Sequence, residues 1–372
     1  MKNLIVFFAI SILLSSCQIN RTEEWVKFGG NNKNTGYTEN NAPIESPNLK
    51  WKFKTEGAVR SSPAIAEGMV FFGSDDGRLY AVDIFTGQEN WKFNSGYGIG
   101  SSPSIAEGMV FFGSEDRYLH AIDIFTGQEK WKFETEDYIS SSSPAIAEGM
   151  VFFGSSDNYL YAVDIFTGLE KWKFKTEAYI ESSPAIAEGM VFIGSSDNYL
   201  HAIDIFTGQE NWKFETEDYV SSSPSIAEGM VFFGSEDGYL YTVDIFTGQE
   251  KWKFKTEYSI ESSPSIAEGM VFFGSEDGYL YAVDIFTGQE KWKFKTEGYV
   301  LSSPSIAEGI VFFGSTLRIL GGSEDECLYA VDIFTGQEKW KFNSGDWIES
   351  SPAIAEGMVF FGSVDGYLYV IE

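Results

Sequence analysis

Two histidines, two cysteines and a recurring set of acidic loops are the residues with which this 372-residue chain could do chemistry. His120 and His201 could ligate a metal or act as general bases. Each, however, sits in a repeated phrase at the position held elsewhere by Tyr80, Tyr161 and Tyr241. The two copies are not neighbours, so exchange of Tyr for His at a packing position accounts for both. The loops Asp-Asp-Gly, Glu-Asp-Gly and Ser-Asp-Asn offer oxygen atoms but lack the alternating ligands and closing Glu of a calcium loop. They read as polar turns. Many serines are present, yet without a histidine partner none has the base a nucleophile requires. No catalytic, cofactor-binding or metal-ligating residue is expected, and the chain reads as a non-enzyme.

The elements around these residues come from a repeat of about forty residues, the period of a solenoid or a propeller. The Trp-Lys-Phe step recurs at Trp51, Trp91, Trp131, Trp172, Trp212, Trp252, Trp292 and Trp340. The phrase SSPAIAEGMVFFGS, or a near copy, starts at Ser61, Ser101, Ser142, Ser182, Ser222, Ser262, Ser302 and Ser350. Gly and Pro punctuation with Val, Ile, Phe and Tyr enrichment predicts four short strands per repeat. In the first repeat these are A (61–66), B (69–74), C (79–84) and D (89–93). Strand B is apolar on both faces and must be covered on both. In strand D, Glu89, Trp91 and Phe93 share one side. This describes an all-β, eight-bladed propeller of four-stranded antiparallel blades. The final segment, Tyr369–Glu372, aligns with strand C, and the first Trp-Lys-Phe precedes any complete blade. Residues 49–54 should therefore supply the outer strand of the last blade and close the ring.

Three segments follow. Residues 1–16 read as a signal peptide, with Lys2 before the apolar run Leu4–Leu14, too short to be a comfortable span. Leu14-Ser15-Ser16-Cys17 matches a lipobox, so Cys17 is the expected lipidation site. Residues 17–48 form a lead-in and residues 49–372 the propeller. With 26 basic against 55 acidic residues, a net charge of −29, the surface repels nucleic acid and anionic headgroups. Membrane attachment is expected through the N-terminal lipid alone. Cys17 and Cys327 are the only cysteines, so no disulfide framework holds the fold.

The recurring A-x-D-x-x-T-G-x-x-x-W pattern resembles the tryptophan-docking motif of eight-bladed propellers with pyrroloquinoline quinone (PQQ)-type repeats. The lead-in EEWVKFGGNNKNTGYT, with Trp25, Asn34, Thr35 and Gly36, is similar to theirs. The resemblance implies that each docking Trp fills the wedge between blades. Quinoprotein dehydrogenases share only the scaffold, because their pocket has a disulfide between adjacent cysteines and is built by long insertions. The lipobox, length and blade number resemble more closely the BamB-like lipoproteins of outer-membrane β-barrel assembly. The blades here are far more alike than in that group.

An antiparallel meander puts the A–B and C–D turns on one face of the ring and the B–C and D–A loops on the other. The turns barely vary between repeats, whereas the loops do. The residues before each Ser-Ser-Pro (Arg60, Gly100, Ser141, Glu181, Ser221, Glu261, Leu301 and Glu349) should ring the mouth of the central channel. Tyr97, Tyr138, Tyr179, Tyr219, Tyr258, Tyr299 and Trp347 should stand nearby. An eight-residue insertion, 316–323, carries Leu317, Ile319 and Leu320 to the same face. Aromatic and charged side chains gathered in this way suit a protein partner. The expected function is a monomeric, lipid-anchored scaffold for protein contact at the bacterial envelope, on the periplasmic side of the outer membrane or at the cell surface. The alternatives are a multivalent module for a repetitive glycan or peptide, and a PQQ-binding sensor or dehydrogenase.

Overall fold

The computed structural model describes residues 24–316 and 325–372, and in it each repeat folds into one four-stranded antiparallel sheet. After β1 (Leu49–Lys54), the first blade comprises β2 (Ala64–Ala66), β3 (Met69–Gly73), β4 (Arg78–Asp83) and β5 (Glu89–Asn94). Seven blades are continuous in sequence. The eighth is composite: β1 pairs antiparallel with Tyr367–Ile371, Trp51 facing Val370 and Phe53 facing Leu368. Ring closure therefore uses the segment expected. Asn48 and Glu372 extend the pairing by exchanging two backbone hydrogen bonds, and Lys50 forms an ion pair with the Glu372 side chain.

The core lies in the second and third strands. Every residue of β3 is buried, and the Phe72 ring stacks on Tyr80 at 5.5 Å. Gly73 ends this strand because a Cβ there would stand 2.3 Å from the Ile99 side chain. The outermost strand is half-exposed, with Trp91 and Phe93 turned inward. Glu89 is exposed and does not share their side, since a register shift between Ala81 and Val82 breaks the alternation there.

The Trp-Lys-Phe step joins blade to blade. Trp91 Nε1 donates to the Ile124 carbonyl of the next blade at 2.9 Å, and Phe93 packs edge-on to Phe112 at 6.0 Å. The indole lies over the glycine of the neighbouring Thr-Gly turn. Gly127 has φ of 68°, and a Cβ on it would stand 2.8 Å from the Trp91 ring. Positive φ and a ring pressed on the backbone together explain the invariant glycine. Most of these tryptophans are half-buried; only Trp172 and Trp340 are buried, at 9% and 5% exposure. The indoles are less buried than complete filling of a wedge between blades would give. Trp340 is special because its Nε1 donates to Pro43 of the lead-in, which stands where the next blade's turn would be.

The Ser-Ser-Pro phrase, expected as the start of the innermost strand, precedes that strand and makes two sets of bonds. The first serine pins its own blade, as when Ser61 Oγ accepts the Gly73 N–H at 2.8 Å. The second joins its neighbour. Ser62 N–H donates to Ser102 Oγ, Ser102 to Ser143, Ser143 to Ser183 and Ser183 to Ser223. Ser223 continues to Ser263, Ser263 to Ser303, Ser303 to Ser351, and Ser351 returns to Ser62. These eight bonds, 2.8–3.0 Å long, form a closed circle around the axis. Buried amides must find acceptors, and here the ring itself supplies them.

The lead-in covers the opposite end of the axis. Carbonyls of Trp25, Val26, Asn32, Lys33, Thr35 and Gly36 accept the N–H groups of Ile65, Ile105, Ile186, Ile226, Ile266 and Ile306 in turn. Asn32 Nδ2 reaches the Ile146 carbonyl and Asn40 Nδ2 that of Ile354. One segment thus touches the innermost strand of all eight blades. Asn34 turns its amide onto the Pro184 and Pro224 carbonyls, and its Oδ1 accepts from the buried Lys27 ammonium at 2.9 Å.

Candidate functional site

The end of the axis opposite the lead-in opens into a cavity of about 580 Å³. The second serines of the closed circle form its wall, and Phe28 of the lead-in reaches it from below. All eight residues preceding Ser-Ser-Pro line it: Arg60, Gly100, Ser141, Glu181, Ser221, Glu261, Leu301 and Glu349. They are brought together because the return segment of each blade descends to the innermost strand at the same height.

The lining is acidic. Asp75, Glu115, Glu181, Glu261 and Glu349 contribute carboxylates, and Arg60 is the guanidinium among them. Arg60 Nε donates to Asp75 at 3.0 Å and Nη1 to Glu349, which ties the first blade to the eighth. The carboxylates hold the Arg60 pKa above its usual value despite partial burial. Burial raises the Glu181 carboxyl above the ordinary carboxylate range, and does the same to nearby Glu236.

The predicted aromatics lie in the return segments that lead to these lining residues, and none of them lines the cavity itself. Tyr97, Tyr138, Tyr179, Tyr219 and Tyr258 are exposed. Tyr179 and Tyr219 meet edge to face at 6.5 Å. Tyr299 is less free, since its backbone pairs with Thr316 through two hydrogen bonds. Trp347 is half-buried and accepts from Val364 N–H at 2.9 Å. Leu317, Ile319 and Leu320, together with Cys17, lie outside the described residues.

The histidines are structural. In most blades a tyrosine hydroxyl donates to an aspartate four residues earlier, as Tyr161 does to Asp157 at 2.8 Å. His120 Nε2 keeps that bond with Asp116 at 2.9 Å, and its Nδ1 adds Glu129 at 2.8 Å. His201 repeats the arrangement with Asp197 and Glu210. Although burial opposes it, the His120 contact brings the Asp116 carboxyl below its ordinary range. Both imidazoles are buried, and neither lines the cavity. Cys327 is buried, which pushes its thiol up to about 11 and leaves it unreactive at neutral pH.

The PQQ implied by the scaffold is a tricarboxylate, and the cavity does not suit it. Carboxylates outnumber cations around the wall, and Arg60 already serves two of them. With one cysteine among the described residues, the expected adjacent-cysteine bridge cannot form within them.

Two features escaped the sequence reading. The circle of second serines is one, although its signal was present in the eightfold Ser-Ser. The other is the path of the lead-in, whose carbonyls carry no side-chain signature.

Solved structures place this ring among known propellers. The computationally designed Ika8 protein is 21% identical, with a TM-score of 0.75 over 88% of this chain and 99% of its own. BamB from Moraxella catarrhalis is 20% identical, with a TM-score of 0.74 over 88% of this chain and 97% of its own. Quinohemoprotein alcohol dehydrogenase ADHIIG from Pseudomonas putida HK5 is 15% identical, with a TM-score of 0.81 over 94% and 80%. At such identities the likeness concerns the fold. No curated protein matches the chain. The family model for outer membrane protein assembly factor BamB matches residues 44–178, 134–253, 161–293 and 257–318. Since these matches together span most of the ring, the chain belongs to the BamB family.

Proposed function

We propose that this protein is a non-catalytic scaffold, lipid-anchored through Cys17 after removal of residues 1–16, that binds a protein partner at the bacterial envelope. By family, that partner belongs to the assembly of outer-membrane proteins. One observation carries the reading: the residues before Ser-Ser-Pro, which differ from blade to blade, converge on the channel mouth, while the invariant serines and tryptophans beside them hold the ring. Arg60, Glu181, Glu261 and Glu349 give the mouth charge, and Tyr179, Tyr219 and Trp347 give it aromatic area. Tyrosine, tryptophan and arginine are the side chains that dominate protein interfaces.

The test is capture from detergent-solubilised membranes with the anchor intact. A variant carrying Tyr179→Ala, Glu181→Lys, Tyr219→Ala and Trp347→Ala should lose the outer-membrane assembly proteins that the parent retains. Equal recovery by both would refute the assignment. The near identity of the blades supports a second reading, a module that binds a repetitive glycan or peptide through similar weak sites. That reading requires binding to rise steeply with ligand valency.

A further inference from the structure

The opposite face carries a feature that the fold does not need. In each turn between the third and outermost strands, an aspartate carboxylate organises the backbone. Asp123 Oδ1 accepts from the Phe125 N–H at 3.2 Å, from the Thr126 N–H at 2.9 Å and from the Thr126 hydroxyl at 2.9 Å. The phenylalanine contributes only its N–H, which any residue but proline could supply. Its side chain points to solvent, 64% exposed at Phe125, and the six equivalents are 50–64% exposed. Seven large apolar groups are therefore displayed around one rim where polar residues would satisfy the turn. A repeated apolar display of this kind marks a contact surface.

The lead-in identifies what covers it. The described chain begins at Glu24, which shares a cleft with Phe125, Val26 and Glu107 on this same face. Six residues lie between Cys17 and Glu24, and the seven steps from one to the other span at most about 25 Å. A lipid on Cys17 would therefore hold this face within reach of the bilayer. Nearer the axis, the turns between the two innermost strands present Glu67, Glu107 and their six counterparts. An apolar rim around an acidic centre fits a zwitterionic headgroup layer and is repelled by an anionic one. We infer that the phenylalanine rim is a membrane-docking surface for zwitterionic lipid, which orients the propeller with its variable face toward the aqueous side. This rests on the reading of Cys17 as a lipid anchor.

The surface is tested without the anchor. Residues 18–372, which contain every described residue, are floated with phosphatidylcholine vesicles and with vesicles rich in phosphatidylglycerol. The parent should float with the first at least threefold more than with the second. A Phe125→Ser, Phe166→Ser, Phe206→Ser variant with unchanged circular dichroism should lose at least fivefold of that binding. Absence of flotation by the parent, or equal flotation by the variant, overturns the docking surface. So does sedimentation showing a parent dimer that the variant dissolves, because a second copy would then cover the rim. Mass spectrometry of the membrane-extracted protein reports the lipid on Cys17 separately, so failure of the anchor is distinguished from failure of the rim.

Discussion

The two faces of the ring are made from the same eight repeats, yet they obey different constraints. On the face of the tight turns, most repeated residues either serve a neighbouring blade or hold their own turn. Ile124 offers its carbonyl to Trp91, Gly127 lies under the same indole, and Asp123 gathers three donors. On the face of the return loops, the fixed residues retreat to the serines at the base, and the side chains above them change from Arg60 to Gly100 to Glu181. Repetition, apart from the exposed phenylalanines, therefore marks where the structure is over-determined. Variation marks where packing leaves the residue free, and where recognition can act.

Perturbation should separate the faces by stability. The largest loss is expected for Trp340→Ala, which empties a buried site and removes the donor to Pro43. About 3–5 kcal/mol should disappear in urea titration. Trp252→Ala, at a half-buried site, should cost clearly less. Loss of 1 kcal/mol or less at Trp340 would break the account of ring closure. The serine circle should come next. Ser223→Ala leaves the Ser183 N–H without its acceptor, and about 1–3 kcal/mol should be lost.

Much of this arrangement was legible in the residues. The Trp-Lys-Phe period placed every outer strand, and the unmatched copy at Trp51 gave the closure, because both follow from local phrases. What remained hidden depended on closure itself. A bond from Ser351 to Ser62 joins residues far apart in sequence, and nothing in either serine names the other. The lead-in was hidden for a related reason: six of the eight inner isoleucines are engaged by its backbone carbonyls, and only Ile146 and Ile354 by side chains, of Asn32 and Asn40. Exposure was also misread at Glu89, where a bulge interrupts the alternation that the pattern assumed.

The buried lead-in gives a test that depends on pH. Burial lowers the Lys27 pKa to about 7, against 10.5 for an exposed lysine. Between those values the unfolded chain holds more protons than the folded one, so this group makes stability rise with pH from 7 toward 10.5. Below pH 7 its contribution is level. Lys27→Met should flatten the rise in melting temperature between pH 7 and 10. An unchanged slope would show that Lys27 is not the group responsible.

The smallest stability effect belongs to the variable face. Tyr179→Ala and Tyr219→Ala should each alter unfolding free energy by no more than about 0.5 kcal/mol, as expected for exposed side chains. A larger loss would mean that these tyrosines hold the ring and were wrongly assigned to recognition.

The most direct measurement of the contrast is site-specific photocrosslinking in intact envelopes. A photoreactive phenylalanine analogue is placed either at Tyr219 on the variable face or at Phe246 on the opposite rim. Discrete protein adducts at Tyr219, with none at Phe246, are the predicted result. Protein adducts at Phe246 and none at Tyr219 would contradict the assignment of recognition to the face that varies.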